Sequence, residues 1–449
     1  MNLDTPTVFF IFSIAAVGVF KLLKPQLAVL FVLLGGWIFL PIGRYPAGSV
    51  EAVFPFWITG LAVPSDMLLT KAWVAPLAAL LGVAVFDVKR LLAFRLRWAD
   101  APMLAWCAWP LLQSGFAAAD AQPAAVVASV YLFGCWGLPW LLAKIYFFDA
   151  ESRALMLQAL TYSALACLSF SVVESVTGPV VYGLLYDAHP FRADGAERYL
   201  GFRPMGFFEH GNQYGIWICL CALVAVWRFV VLPPGRSRKA AAGIAVIAVV
   251  MSIAAQSVGA LLLFAAGGLL LFSAQFLRVR WVVFGSLGAL ILGTLIYASG
   301  AIPINQIGKS TAWGQSVVSV FKAAGRGSFT WRISQDQKLL PEIKAHPWVG
   351  SGQWDWWRAK NTRPWGLAML LLGQFGAVGL TLCFGSVLWP ALRAFWQAPR
   401  ASAWRLEGMP LLLATVIALA MLDALMNSFI FFPAVLIAGS LAGQRKPVT

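Results

Sequence analysis

The chain has 449 residues, 60% of them hydrophobic and 11% charged, with 33 Lys and Arg against 18 Asp and Glu for a net charge of +15. A soluble domain carries about a quarter charged residues, so these proportions exclude an ordinary soluble enzyme, and the apolar runs leave no gap for one. The fold class they predict is an all-α polytopic membrane protein with 12 or 13 transmembrane helices, one transmembrane domain over residues 1–449.

A helix crosses the hydrocarbon of a bilayer with about 20 apolar residues. In chain order, candidate spans cover 7–22, 26–42, 68–86, 101–118, 123–146, 154–178, 207–232, 239–255, 257–277, 281–300, 364–392, 407–424 and 427–443. Residues 51–64 read as a re-entrant or interfacial piece. The first seven residues include Asp4 and no Lys or Arg, so the N-terminus lacks the basic region of a cleaved signal peptide. The first span is therefore expected to be retained. Trp73, Trp140, Trp227, Trp281, Trp365 and Trp404 stand near the ends of apolar runs, as expected of rings anchored at the membrane interface. The cysteines, Cys107, Cys135, Cys167, Cys219, Cys221 and Cys383, all lie in apolar stretches without Cys-x-x-Cys spacing, so they read as buried thiols.

Orientation follows from the Lys and Arg of short loops. Lys89, Arg90, Arg95 and Arg97 mark one loop, Arg228, Arg236, Arg238 and Lys239 a second, Arg278 and Arg280 a third, and Arg393, Arg400 and Arg405 a fourth; Arg445 and Lys446 end the chain. Alternation puts all of them on one side, read as cytoplasmic. The other side receives a first periplasmic loop, 179–206, and a large one, 301–363, expected to contain short helices. The large loop holds nine basic residues, among them Arg326, Arg332, Arg358 and Arg363, against Asp336, Glu342 and Asp355, for a net charge of +6. Long translocated loops escape the positive-inside bias. A basic surface beside the membrane suits a phosphate or diphosphate ligand, or else anionic lipid headgroups. His189, His210 and His346 all fall on this same side.

Two stretches gather polar groups. Residues 203–215, Arg-Pro-Met-Gly-Phe-Phe-Glu-His-Gly-Asn-Gln-Tyr-Gly, open a span. They place Glu209, His210, Asn212 and Gln213 at the membrane edge, where polar groups are costly unless they face a cavity or partner. Residues 330–345 read as an amphipathic helix with Ile333, Leu339, Leu340 and Ile343 on one side, Pro341 kinking or interrupting it, and a turn at Pro347, Gly350 and Gly352. The Gly-Ser-Gly at 350–352 follows no strand, so a nucleotide loop is a poor reading.

With these motifs the chain resembles the O-antigen ligase and O-antigen polymerase superfamily of bacterial membrane glycosyltransferases, as a divergent member. Arg203 followed by Asn212 is similar to that family's Arg…Gly-x-Phe…Asn stretch. Arg332 leading to His346-Pro347-Trp348-Val349-Gly350-Ser351-Gly352 is similar to its Arg…Pro-x-x-Gly-x-Gly run, and Gln374-Phe375-Gly376-Ala377-Val378-Gly379-Leu380 to its Glu-x-Gly-x-x-Gly ending. Asp423 and Asn427 also resemble family residues near the last span. Two positions depart: family members carry a His-Asn pair after the Gly-x-Gly turn, where this chain has Asn361-Thr362-Arg363-Pro364-Trp365, and their Ser-Arg at the start of a middle span is Ser257-Val258 here.

The resemblance implies transfer of a glycan from an undecaprenyl-diphosphate carrier to an acceptor hydroxyl at the periplasmic face of the bacterial inner membrane. The departures favour an exopolysaccharide or O-antigen polymerase, with a ligase acting on lipid A core as the alternative. The catalytic candidates are Arg203, Arg332, His346, His210 and Glu209, with Asp355 as a further base. Asn212, Arg326, Arg363, Trp348 and Trp354 are the substrate-binding candidates. Arg forks bind diphosphate oxygens and offset charge on departure, a base takes the acceptor proton, and tryptophan rings suit sugar faces. There is no Asp-x-Asp, so neither metal nor other cofactor is expected. The expected partners are the carrier-linked glycan, an acceptor glycan, the lipid bilayer and other polysaccharide-assembly proteins; nucleic acid is not among them. A transporter would require charged or broken helices at mid-membrane and an internal repeat, and the sequence has few midplane charges and no clear repeat. The missing His-Asn pair favours a third reading, a non-catalytic scaffold. Convergence of Arg203, Arg332 and a base on one cavity would separate enzyme from scaffold.

Overall fold

The computed structural model describes residues 3–43, 60–63, 68–116, 121–186, 189, 196–299, 310–323, 327–399, 402–430 and 432–443. Most of the interfacial piece expected at 51–64 lies outside them, as does Arg326.

The secondary structure of the described residues is helical apart from one hairpin of two-residue strands. In order come α1 (Thr5–Leu22), α2 (Pro25–Phe39), α3 (Lys71–Phe86), α4 (Val88–Leu92), α5 (Ala101–Gln113), α6 (Ala125–Leu132), α7 (Leu138–Tyr146), α8 (Ala150–Ala166), α9 (Leu168–Thr177) and α10 (Val181–Leu185). The hairpin of β1 (Glu197–Arg198) and β2 (Gly201–Phe202) follows, then α11 (Gly211–Val231), α12 (Arg236–Ala254), α13 (Val258–Ser273), α14 (Val279–Ser299), α15 (Ala312–Ala323), α16 (Gly327–Ala345), α17 (Leu367–Gln397), α18 (Met409–Ala424) and α19 (Phe432–Ala442). Every candidate span coincides with a helix. Among the described residues seven helices are long and apolar enough to cross a membrane, with α6 and α7 joined by a π-helical turn and α8 run on into α9. Shorter apolar helices, α2, α3, α13 and α19 among them, pack beside these.

Local chemistry sets the helix starts. Asp4 caps α1 by accepting from Thr7 N–H at 3.1 Å, and Asp149 caps α8 by accepting from Ser152 N–H at 2.8 Å. Helix ends that meet one another define two faces. On one, Leu3 bridges to Tyr186, Gly43 to Thr70, and the Tyr182 hydroxyl accepts from Ile42 N–H. Residues 196–210 and 327–363 lie there too, tied by Trp354 N–H to Gln122 O and by Arg332 to Met426 O; we call this the loop face. On the opposite, base face, Lys144 pairs with Asp100, Asp87 accepts from the Tyr146 hydroxyl, Trp227 Nε1 donates to Ala403 O and Arg280 lies over Trp396. The basic short loops gather at this base face. The start of α1 is at the loop face and the end of α19 at the base face, where Gly443 abuts Lys144.

The core is a continuous apolar cluster centred on α2, α7, α11, α17, α18 and α19. Apolar side chains elsewhere remain exposed, such as Phe10, Ile11 and Ile14 on α1, as expected of surfaces facing lipid. Two of the expected interface tryptophans are instead inside the bundle: Trp140 is 3% exposed and Trp227 1%. Both stand near the ends of apolar runs, but the helices around them extend past their level. Trp281, at 63%, remains on the surface.

A broken helix sits behind the Gly-x-Gly turn. Gly376 has φ +68°, which interrupts α17 nine residues in. The turn at 346–352 splints the break. Ser351 and Gly352 N–H donate to Gly373 O and Gln374 O, and Ala377 and Val378 N–H donate to Pro347 O and Trp348 O, all within 3.1 Å. Trp109 Nε1 satisfies Phe375 O, and Gln113 Nε2 bonds both Val349 O and Gln374 O. Unpaired carbonyls inside a membrane bundle cost several kcal/mol each, so a break at this depth needs these donors. Gly350 and Gly352 reach φ +74° and +75° to present them. The loop therefore repairs a helix.

Candidate functional site

Arg203 follows the hairpin, where its N–H donates to Ala196 O. Gln256 holds the hairpin through Leu200 N–H and Gly201 O. Beyond Arg203 the chain is clamped from below. The buried Glu174 carboxylate accepts from Met205 and Gly206 N–H, each at 2.7 Å, and from Val181 N–H at 3.1 Å. Lys71, 1% exposed, donates to Phe207 O at 2.8 Å and pairs with Glu209 at 3.4 Å. Its ammonium also faces the Trp37 and Phe208 rings. Gln213 Oε1 accepts from Glu209 N–H.

These clamps deliver His210 to the N-cap of α11, where its Nδ1 accepts from Asn212 N–H at 2.9 Å. Gly211 has no Cβ, and the Arg203 side chain lies across that space. From there Arg203 Nη2 donates to Asn212 Oδ1 at 2.5 Å. Asn212 Nδ2 donates to Asn427 Oδ1 at 3.0 Å, and Asn427 Nδ2 to Asp423 Oδ1 at 2.9 Å. Arg332 Nη1 reaches the same Asn427 Oδ1 at 3.2 Å and Met426 O at 2.8 Å. Thus an asparagine pair on α11 and beyond α18 joins Arg203 to Arg332 across 129 positions of sequence.

A third guanidinium completes the cluster. Arg363 lies 3.9 Å from the Trp365 ring centroid and Arg332 5.3 Å from it. Trp365 N–H donates to Asp336 Oδ1 at 3.3 Å, and Asp336 is one helical turn from Arg332 on α16. Burial, and then the nearby Arg332 charge, lower the Arg363 guanidinium to about 9, still charged at neutral pH. Burial raises the Asp336 carboxyl to about 7, against the pull of Trp365 N–H and Arg332. Burial and then the Arg203, Arg332 and Arg363 charges hold the His210 imidazole well below its usual value, so it is neutral. Because Nδ1 accepts a backbone N–H, the proton of neutral His210 sits on Nε2. Neutral His210 is thereby a hydrogen-bond donor at Nε2.

The structure brings together five sequence candidates: Arg203, His210, Asn212, Arg332 and Arg363. It places the other described candidates elsewhere; Arg326 lies outside the described residues. Glu209 turns into the bundle against Lys71. His346 follows the far end of α16, about 20 Å from Arg332 at 1.5 Å per helical residue, and is exposed. α16 runs unbroken through Pro341, which is why His346 is carried so far. Leu339, Leu340 and Ile343 are buried, the latter two against Met369 and Leu372, as the amphipathic pattern predicts; the Ile333 side chain lies outside the described residues. Trp348 is 71% exposed on the splinting turn. Trp354 packs under Arg358 and edge-on to Trp357, and Asp355 pairs with Arg358 at 2.9 Å. Among the described residues no three His, Cys, Asp or Glu side chains gather as a metal site.

Asp336 reads in the sequence only as one acid in a basic loop; its spacing of four from Arg332 is the available signal. Lys71 and Glu174 carry no sequence signal, since their partners are 138 and 31 positions away.

The fold defines an all-α, multi-pass membrane protein whose polar cluster lies at the end of its helices on one face. No protein-family model matches the chain, and no curated protein matches it.

Proposed function

We propose that the chain transfers a glycan from an undecaprenyl-diphosphate carrier to an acceptor hydroxyl at the periplasmic face of a bacterial inner membrane, as an exopolysaccharide or O-antigen polymerase. The supporting observation is the gathering of Arg203, Arg332 and Arg363 around Asn212, Asn427 and a neutral His210 at the membrane edge. Three guanidiniums beside two carboxyls form a cationic site with forks suited to diphosphate oxygens. The N-terminal end of the α11 dipole also favours an anion there.

In this reading the acceptor oxygen bonds to the anomeric carbon as the bond from that carbon to the diphosphate oxygen breaks. The bonding pair leaves with the diphosphate, where Arg203, Arg332 and Arg363 offset its charge. His210 Nε2–H donates to a diphosphate or sugar oxygen. Asp336, whose carboxyl sits at about 7, takes the acceptor proton. Where the resembled family carries His after the turn, this chain offers Arg363, and Asp336 is the nearer base.

The test is replacement of Arg203 and Arg332 singly by Ala in cells, with polymer length and protein level both measured. The proposal expects loss of long polymer, by at least about 100-fold for a group that acts on the transition state, at unchanged protein level. Normal polymer from both variants sinks it. A ligase differs only in the acceptor, and would show as loss of glycan attachment with carrier-linked polymer still made.

A further inference from the structure

A cavity of about 840 Å³ opens at the base face, among the ends of α2, α8, α11, α12 and α18, far from the arginine cluster. Its volume is in the range of ligand pockets. Lys24, Arg228 and Arg236 line it together with Asp149 and Glu151. Leu27, Leu155, Val231 and Ile244 give it an apolar wall. Arg228 is half-buried there. It donates to Thr161 Oγ1 at 2.8 Å, and no carboxylate lies within ion-pair distance of it among the described residues. A half-buried guanidinium beside an open cavity is poorly compensated by one neutral hydroxyl. Asp149 and Glu151 likewise form no ion pair among the described residues, although Asp149 also caps α8.

We propose that this cavity binds a zwitterionic phospholipid of the base-face leaflet, with a phosphoethanolamine-type headgroup. Its phosphate meets Arg228 and Arg236, its ammonium meets Glu151 and Asp149, and its chains lie along the apolar wall. Basic pockets between transmembrane helices at this depth bind lipid headgroups. The headgroup type follows from charge: a headgroup with negative charge only would place that charge beside two carboxylates, whereas one carrying both signs offers partners to Arg228 and Arg236 and to Glu151 and Asp149.

The experiment uses the full chain purified in detergent, with retained lipid read by native mass spectrometry and stability read by thermal unfolding. The probes are phosphatidylethanolamine, phosphatidylglycerol with the same acyl chains, and inorganic phosphate. The wild type should retain phosphatidylethanolamine over phosphatidylglycerol by about tenfold. Arg228→Gln should lose that retention. Arg236→Gln, at an exposed position that leaves the Thr161 bond intact, should weaken it severalfold, which keeps the test open if Arg228→Gln does not fold. Glu151→Gln should abolish the preference between the two lipids. Equal retention of both lipids by the wild type overturns the proposal, as does phosphatidylethanolamine retention unchanged in Arg236→Gln. Stabilisation by inorganic phosphate equal to that by lipid also overturns it, by making a soluble anion the ligand.

Discussion

Arg332 and Arg363 both lie over the ring of Trp365, and Arg203 is joined to Arg332 through two asparagines. Like charges held this close repel, and the cost is offset by cation–π contact, the asparagine oxygens and the two acids nearby. Asp336 titrates in this cluster. Its carboxyl sits at about 7 in the folded chain against an ordinary 3.8. The folded state therefore holds a proton that the unfolded state has released between those values, and stability falls as pH rises from about 4 to 7. Asp336→Asn should flatten this fall, measured as the change in Tm between pH 5 and pH 7.5 in wild type and variant. If Asp336 is also the base of the proposed transfer, the same variant should lose the limb of the pH–rate profile that rises near pH 7. A variant with the wild-type profile would remove Asp336 from that role.

At the scale of elements, two devices place the site. The first is the clamp on residues 203–210, built from Glu174 and from the buried Lys71–Glu209 pair. Removing one partner of such a pair leaves an uncompensated buried charge, at about 3–5 kcal/mol. Lys71→Met should therefore lower Tm sharply, and Lys71→Met with Glu209→Gln should recover part of the loss; a double variant no better than the single one would contradict the pairing. The second is the splint across the break in α17. Gly376→Ala would force a Cβ onto the Trp348 carbonyl at a φ that costs about 1–3 kcal/mol for other residues. It should destabilise more than Gly385→Ala in the same helix, where a Cβ meets nothing within 4 Å. Thermal unfolding of the two variants decides this.

The helices were legible in the sequence because each span is a continuous apolar run. The Arg203 end of the site was legible because polar residues open a span at 203–213. The other half was harder to read for three reasons. Gly350-Ser351-Gly352 and the region around Gly376 are written as separate motifs, and only their hydrogen bonds to one another reveal a structural joint. The placing of Ile333, Leu339, Leu340 and Ile343 on one side predicts an amphipathic helix over 330–345, but whether Pro341 ends it depends on packing against α17; because it does not, His346 is carried away from Arg332. And Glu209 beside His210 looks like a second candidate base until Lys71, from a distant helix, claims it.

Across the whole molecule, the basic loops collect at one face and the arginine cluster at the other, so the bundle has a built-in polarity. The start of α1 lies at the loop face with Tyr186 and the end of α19 at the base face with Lys144. Single cysteines placed beside Leu3 and beside Gly443, in a chain freed of its native cysteines, should be labelled from opposite sides of sealed cells or vesicles. Labelling from the same side would contradict the helix arrangement. By the positive-inside rule the loop face would be the periplasmic one, as the proposed transfer requires.

The most direct measurement follows the carrier itself. Purified chain in lipid nanodiscs, given undecaprenyl-diphosphate-linked oligosaccharide as both donor and acceptor, should release undecaprenyl diphosphate in step with lengthening of the glycan. Arg332→Ala and Arg203→Ala should each slow that release by about 100-fold or more while the folded protein remains. Release at the wild-type rate from both variants would contradict a diphosphate held by the arginine cluster.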